Sequence, residues 1–216
     1  MQRILIVSNE IGKDALGEMR EAPAVGLPEG LCNIPNLVDA AKALAGDAET
    51  RLVHHRELEA CSFQGFDRVI LSGFFPDRPF TEAELKEEFE AELKRVRQAD
   101  IPVLGICLGI QLIGLAFGAG IQSMERAGGE HGYVPVQKEK EHPLLMGLPS
   151  SFSVLGLHGK ELNAVPEGFD LLVSGRDCRV QAIAHRERPL YGVQFHPELR
   201  SEKNEGARIL YNFLRL

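Results

Sequence analysis

One cysteine of this sequence lies between two glycines, directly after a run of apolar residues. The stretch reads Val103-Leu-Gly-Ile-Cys-Leu-Gly-Ile-Gln111, which predicts a buried strand followed by an apolar helix. Gly105 and Gly109 permit a tight turn that presents Cys107 at the end of the strand. The start of a helix also favours a thiolate. Cys107 is therefore predicted to be a nucleophile, although a buried, inert cysteine is the alternative. The N–H group of Leu108 would point at the same place and could bind a developing oxyanion.

A histidine and a carboxylate follow a second apolar run near the end of the chain. The stretch reads Tyr191-Gly-Val-Gln-Phe-His-Pro-Glu198. A thiolate nucleophile needs a base that moves protons, and the base needs a partner that fixes its tautomer. Alone, a His-Pro-Glu sequence after a strand is usually a surface turn. Together with the glycine-flanked cysteine, it predicts a triad of Cys107, His196 as the base and Glu198 as its orienting partner.

Strand-like and helix-like segments alternate in the first half of the chain. Strands are predicted at residues 4–8, 51–54, 68–72 and 102–106, with helices at 37–44 and 108–117. This alternation predicts an α/β fold with a doubly wound, mostly parallel central sheet. The second half predicts shorter, meander-like strands at residues 133–137, 152–155, 170–174, 180–185 and 190–195, then a closing helix at 205–214. One domain over residues 1–216 is the simplest interpretation.

One further helix is predicted after a capping box formed by Thr81 and Glu84. Its apolar residues recur at helical spacing and are Leu85, Phe89, Leu93 and Val96. We interpret the charge run over residues 82–97 as the solvated face of this helix.

Composition excludes several classes of protein. The chain has 216 residues, 44% of them hydrophobic and 25% charged, and a formal net charge of -7. The negative charge argues against nucleic-acid binding. Glycines and a proline interrupt the longest apolar run, 101–117, so no membrane span is predicted. Four scattered cysteines predict neither a disulfide framework nor a metal site. No signal peptide is recognised, so the cytoplasm is the expected location.

A long segment separates the first strand from the first helix. Residues 9–35 include four glycines and three prolines. Loops of this length are usually functional or mobile. Because the segment follows the first strand, we expect it at the carboxyl edge of the sheet, as a lid or a partner-docking surface.

Gly105-Ile-Cys-Leu-Gly-x-Gln111 and Gly192-Val-Gln-Phe-His-Pro-Glu198 together resemble the class I (triad) glutamine amidotransferases. The resemblance covers most of residues 66–216, and 165–169 and 174–185 are similar to the domain found in GMP synthases. It implies a flavodoxin-like fold of the class I amidotransferase type. It also implies hydrolysis of the glutamine side-chain amide through a Cys107 thioester, without a cofactor.

The same resemblance implies further roles. The N–H groups of Gly73 and Leu108 would form the oxyanion hole, and Gln111 would help to hold glutamine. Ammonia would pass to a separate synthetase partner, since the sequence has no GxxxxGK[ST] nucleotide-binding signature and no length for a synthetase domain.

Three stretches depart from the family pattern. Ile110 stands where many members have His or Met. The oxyanion loop reads Ser72-Gly-Phe-Phe-Pro76, and Phe74 and Phe75 could hinder the peptide flip that it needs. Leu157-His-Gly-Lys160 replaces the Ser-His-x-Asp of GMP synthases, so His158 either lines the pocket or lies in an exposed turn.

Two alternative functions stay open. The first is a stand-alone γ-glutamyl hydrolase or peptidase that uses the same triad. The second is a catalytically silent regulatory member of the family, which the Phe74-Phe75 loop favours.

Overall fold

The computed structural model describes residues 1–11, 33–74 and 80–216. The strands are β1 (Arg3–Ser8), β2 (Glu49–His54), β3 (Arg68–Leu71), β4 (Val103–Ile106), β5 (Ile121–Ser123), β6 (Glu130–Lys138), β7 (Ser151–His158), β8 (Lys160–Leu162), β9 (Phe169–Gly175), β10 (Ala182–His185) and β11 (Leu190–Val193). The α-helices are α1 (Asn33–Ala45), α2 (Glu82–Glu88), α3 (Glu90–Gln98), α4 (Leu108–Ala116) and α5 (Ala207–Phe213). Short 3₁₀ helices cover His55–Glu59 and Pro143–Leu145.

Nine of the strands form one sheet in the order β2-β1-β3-β4-β11-β10-β9-β6-β7. The first five in this order run parallel, and the other four continue the sheet with antiparallel pairs. The chain order reverses direction across the sheet between β1 and β3, as it does in doubly wound folds. The predicted α/β fold is therefore confirmed. The second half extends the same sheet with strands of up to nine residues, which are longer than the short strands predicted there.

Helices cover both faces of the parallel part of the sheet, and β1 shows why. Leu5 and Val7 belong to one buried cluster together with residues of α2, α3 and α4. Ile4 and Ile6 belong to a second cluster together with residues of α1 and α5. Side chains of a strand alternate between its two faces, so a strand covered on both faces is apolar throughout. This explains the unbroken apolar runs of β1 and β4.

The region between β3 and β4 differs from the prediction. The capping box of Thr81 and Glu84 is present, but the predicted single helix is two helices that meet at Phe89, whose φ is -106° and ψ is 21°. The interpretation of the charge run as solvated is wrong at Glu92, which is fully buried.

The predicted long loop over residues 9–35 and the small second sheet also differ from the prediction. α1 begins at Asn33, inside the segment predicted as a loop, and residues 12–32 are outside the described ranges. The small antiparallel sheet of β5 and β8 has no counterpart among the predicted elements. None of the described helices combines the length and the apolar character that a bilayer crossing requires.

Candidate active site

The parallel strands β1, β3, β4 and β11 end at one edge of the sheet. Several residues that directly follow these strand ends were predicted from the sequence to belong to the site. The register pairs Val7 of β1 with Leu71 of β3, Leu71 with Gly105 of β4, and Ile106 with Val193 of β11. The residues that follow these strand ends are therefore neighbours: Asn9, Ser72, Gly73, Cys107 and Gln194. Carboxyl edges of parallel sheets are where doubly wound folds bind ligands.

Cys107 occupies the turn between β4 and α4 in a strained conformation. Its φ is 52° and its ψ is -103°, and it is the only non-glycine residue with a positive φ in the described part of the chain. Such a conformation costs about 1–3 kcal/mol and persists where the surroundings enforce it. Its N–H group donates to the Val193 carbonyl at 2.8 Å, which fixes the turn to β11. The strained turn expected from the sequence is thus present at Cys107.

The two flanking glycines allow the first turn of α4 to lie directly on the strands. A Cβ atom at Gly105 would lie 2.4 Å from the Gly109 backbone, and one at Gly109 would lie 2.6 Å from the Leu71 carbonyl oxygen. Contacts this short cannot be accommodated by a larger residue. Both glycines are required because the backbone of α4 approaches β3 and β4 so closely at these positions. This close packing brings Cys107 against the end of β3.

His196 lies between a carboxylate and the cysteine. Its Nδ1 atom is 2.7 Å from Glu198 Oε1, and neither side chain is exposed to solvent. Burial lowers the pKa of His196, but the Glu198 carboxylate and the charge and hydrogen bond of Cys107 outweigh it and raise the pKa to about 10. The imidazolium form is therefore favoured beside the sulfur. The structure brings the three predicted triad residues together.

Three hydrogen bonds hold the His196 segment in place. The N–H of His196 donates to the Leu155 carbonyl of β7 at 3.0 Å. The side-chain amide of Asn204 donates to the carbonyls of His196 and Leu199, both at 2.8 Å. Sequence reasoning misses Asn204 because an isolated asparagine between charged residues is typical of a surface loop.

Gln111 and Gln194 link Cys107 to β8. Gln194 Nε2 lies 3.8 Å from the Cys107 sulfur, and Gln194 Oε1 accepts from Gln111 Nε2 at 3.1 Å. Gln111 Nε2 also donates to the Lys160 carbonyl at 3.0 Å. Both hydrogens of Gln111 Nε2 are donated to these two acceptors. The expected contact of Gln111 with glutamine would therefore be made by its Oε1 atom.

The two expected oxyanion donors lie at the same edge. Leu108 is the first residue of α4, so its N–H has no intrahelical acceptor. Gly73 follows β3, and the next residue, Phe74, is buried with its ring 5.7 Å from that of Phe80. Phe74 is thus part of the core. Phe75 lies outside the described residues, so the expected hindrance by that residue is not tested.

His158 is buried, which rules out the exposed-turn interpretation. Its Nε2 atom lies 3.0 Å from Glu130 Oε2 and its Nδ1 atom 3.1 Å from the Lys160 carbonyl. Gln181 donates to the same Glu130 oxygen at 2.8 Å. The Lys160 ammonium reaches the Phe80 carbonyl. These contacts fix the start of β8, whose Lys160 carbonyl accepts the hydrogen bond from Gln111.

Acyl transfer needs a thiol, an imidazole that contacts it and a carboxylate that contacts the imidazole, with backbone N–H groups beside the thiol. The strand ends carry all of these groups. The protein-family model for class I glutamine amidotransferases matches residues 33–216. The curated relatives include a subunit of the glutamine-hydrolysing GMP synthase of Methanocaldococcus jannaschii, 41% identical over 118 residues, which are 55% of this chain and 61% of the relative. The corresponding subunit of Pyrococcus furiosus is 39% identical over 127 residues, 59% of this chain and 66% of the relative.

These matches span less than two thirds of the length of the curated relatives. Among solved structures, a protein of Thermoplasma acidophilum described as a GMP synthase subunit superposes with a TM-score of 0.75 and 27% identity, covering 100% of this chain and 93% of the other. Since the family model matches more than half of the sequence, this chain belongs to the class I glutamine amidotransferase family.

Proposed function

We propose that this protein hydrolyses the side-chain amide of glutamine through a Cys107 thioester and delivers the ammonia to a separate synthetase partner. Family membership and the glutamine-hydrolysing relatives support this proposal. The observation that carries it is the contact of Cys107 with a buried His196 that Glu198 orients. The 216-residue chain would act as one unit in the cytoplasm.

In the first half of the reaction, the Cys107 thiolate attacks the side-chain amide carbon of glutamine. The carbonyl oxygen becomes an oxyanion, which the N–H groups of Gly73 and Leu108 would stabilise. His196, held protonated by Glu198 and Cys107, gives its proton to the departing nitrogen. The C–N bond breaks, ammonia leaves, and a γ-glutamyl thioester remains on Cys107.

In the second half, water replaces ammonia. His196 is now neutral and removes a proton from the water as the oxygen attacks the thioester carbon. The C–S bond breaks and glutamate leaves. Glu198 keeps the imidazole in one orientation during both steps, because its carboxylate holds Nδ1.

The relatives are named as one subunit of GMP synthase, so the GMP-forming synthetase subunit is the first partner to test. One stretch argues for another acceptor. Lys160 stands where GMP synthases carry Asp, and here its ammonium reaches the Phe80 carbonyl. Transfer of glutamine nitrogen to a nucleotide in a mixture with that synthetase would assign the partner.

Glutamine hydrolysis by the purified chain, alone and with the synthetase subunit, tests the proposed chemistry. We expect Cys107→Ala to remove glutamate release, because Cys107 carries the thiol that contacts His196. Cys61→Ala is the matched control, since Cys61 is also a free thiol but lies away from the strand ends, and it should keep wild-type activity.

The same assay separates the alternatives. Turnover of γ-glutamyl conjugates but not of glutamine would assign the γ-glutamyl hydrolase. Failure of wild-type protein to react with a glutamine-analogue electrophile, alone and with the synthetase, would assign the silent regulatory member.

A further inference from the structure

A hydrogen-bonded group of buried residues holds the peptide that precedes the expected oxyanion donor. Asn9 follows β1, and its backbone N–H donates to Ser72 Oγ at 3.0 Å. Its side-chain amide donates to the Ser72 carbonyl, also at 3.0 Å. Ser72 Oγ in turn donates to the Gly73 carbonyl at 2.9 Å. Asn9 and Ser72 are completely buried.

These contacts determine the direction of the Gly73 N–H group. The Ser72 carbonyl and the Gly73 N–H belong to one planar, trans peptide unit, in which the two groups point in opposite directions. Asn9 holds the carbonyl at one end, so the N–H at the other end is fixed. Rotation of the peptide would break the contact with Asn9 and leave a buried carbonyl unpaired, at a cost of about 1–3 kcal/mol.

Asn9 is held by a carboxyl group that has no exposure to solvent. Its Nδ2 atom also donates to Oε1 of Glu92, on α3, at 3.3 Å. Two buried acceptors in this pair, Asn9 Oδ1 and Glu92 Oε2, find no donor among the described residues. A proton on Glu92 would supply a donor to this pair, whereas an ionised Glu92 leaves two acceptors and a charge uncompensated.

We propose that Asn9 and Glu92 are positioning residues for the oxyanion hole, with Glu92 acting as a neutral carboxylic acid that orients Asn9 and through it the Gly73 N–H. The inference rests on the proposed glutamine hydrolysis. Neither residue touches the substrate.

The surroundings of Glu92 agree with a neutral carboxyl. Burial raises its pKa to about 8, against the smaller, lowering effect of the Asn9 hydrogen bond. The titratable groups that adjoining elements turn inward are Glu10, His54 and His55, with Glu88 3.5 Å from His55. The pKa of His55 is lowered to about 3, chiefly by burial and by its neighbours His54 and Arg56, so it offers Glu92 no positive charge. No residue of α4 is ionisable.

The first test removes the amide that holds the peptide. In Asn9→Ala, kcat for glutamine should fall about ten- to hundredfold, because a misdirected oxyanion donor acts on the transition state. KM should change less than about twofold. Alkylation of Cys107 by iodoacetamide should keep its wild-type rate, because that displacement forms no oxyanion.

The matched control is Asn212→Ala. Asn212 is also buried and donates to two carbonyls, those of Leu144 and Met146 at 2.9 Å, but lies away from the strand ends that form the site. It should lose stability while kcat stays at the wild-type value. Loss of both activity and alkylation in Asn9→Ala would overturn the inference by showing general damage to the site.

The second test uses pH and a variant that cannot ionise. The wild-type kcat should fall as the pH rises through about 8, because ionised Glu92 has no proton to donate to Asn9 Oδ1 and competes with the Ser72 carbonyl for the Asn9 amide. Glu92→Gln keeps a neutral group of the same shape, so its kcat should stay near the wild-type value at pH 7 and lose this decline. Glu90→Gln, an exposed change on the same helix, should keep the decline.

Two outcomes distinguish this inference from the proposed function. If the wild-type chain hydrolyses glutamine and both Asn9→Ala and Glu92→Gln match it at every pH, the positioning role is wrong and the enzyme assignment stands. If wild-type protein releases no glutamate even with the synthetase partner, both are wrong.

Discussion

The Cys107 sulfur lies where three local effects coincide. Its positive φ places the side chain at the end of the strand, the start of α4 contributes the positive end of a helix dipole, and Gln194 directs an amide at the sulfur. The neighbouring His196 is held protonated by Glu198 and by Cys107 itself. The proposed nucleophile and a proton donor therefore lie in the same buried site.

The turn between β4 and α4 that carries Cys107 depends on the absence of a side chain at position 105. In Gly105→Ala, the new Cβ would lie 2.4 Å from the backbone of Gly109, and backbone cannot move aside as a flexible side chain can. We expect the free energy of unfolding to fall by about 3 kcal/mol and glutamine hydrolysis to be lost. Chemical denaturation and the glutaminase assay measure the two effects.

Gly159→Ala is the matched control for this substitution. A Cβ there has nothing within 4 Å, so its stability should stay within about 0.5 kcal/mol of wild type. Equal stability of the two variants would contradict the packing argument.

Glu92 makes a separate prediction about stability. Its carboxyl titrates near 4.5 in the unfolded chain and near 8 in the folded protein. Between these values the unfolded chain binds fewer protons, so the free energy of unfolding falls as the pH rises. Glu92→Gln lacks this contribution, and its stability relative to wild type should rise between pH 4.5 and 8 by more than about 1 kcal/mol.

Denaturation of both proteins at a series of pH values measures the difference. A difference that is constant with pH would contradict the raised pKa of Glu92.

At the scale of elements, apolar periodicity predicts where most strands and helices lie, and fails elsewhere for identifiable reasons. Leu85, Phe89 and Leu93 lie at helical spacing, and a break at Phe89 leaves all three on one face, so the pattern could not reveal two helices. β5 and β8 are three residues each and partly polar, too short to show a period.

Buried polar residues are the other group that the sequence conceals. The burial of Glu92, Glu130 and His158 could not be expected from residue type, because charged groups are rarely buried without partners. Glu92 did carry a signal, since it lies three residues after Phe89 and four before Val96, on the apolar face of the helix. The triad residues are easier to find because two short, specific motifs contain all of them.

Asn204 anchors the turn after β11 through its side-chain amide. Asn204→Ala leaves the Leu199 carbonyl without its donor and the His196 carbonyl with only the long contact from the Leu199 N–H at 3.4 Å. It should lower the free energy of unfolding by about 2 kcal/mol. Because the His196 backbone loses its anchor, kcat should fall about tenfold.

Asn212→Ala again separates stability from function, since it removes the same kind of contact elsewhere. Its stability loss should be similar, with kcat unchanged. Equal kcat for the two variants would show that Asn204 does not position the triad.

At the scale of the whole molecule, the sheet explains how the candidate site is assembled. Cys107 and His196 are far apart in the chain, but β4 and β11 are adjacent parallel strands in register. The antiparallel extension then supplies β7, whose Leu155 carbonyl fixes His196. The sequence motifs identify which residues meet, whereas the pairing of the second half with the parallel strands required the structure.

The acyl-enzyme is the most direct test of this account. Purified protein is mixed with glutamine, quenched in acid within the first turnover, digested and analysed by mass spectrometry. The proposed mechanism predicts a γ-glutamyl group on Cys107, absent from Cys107→Ala and present on no other cysteine. Glutamine hydrolysis that proceeds at the wild-type rate in Cys107→Ala, or a γ-glutamyl group attached at another residue, would contradict it.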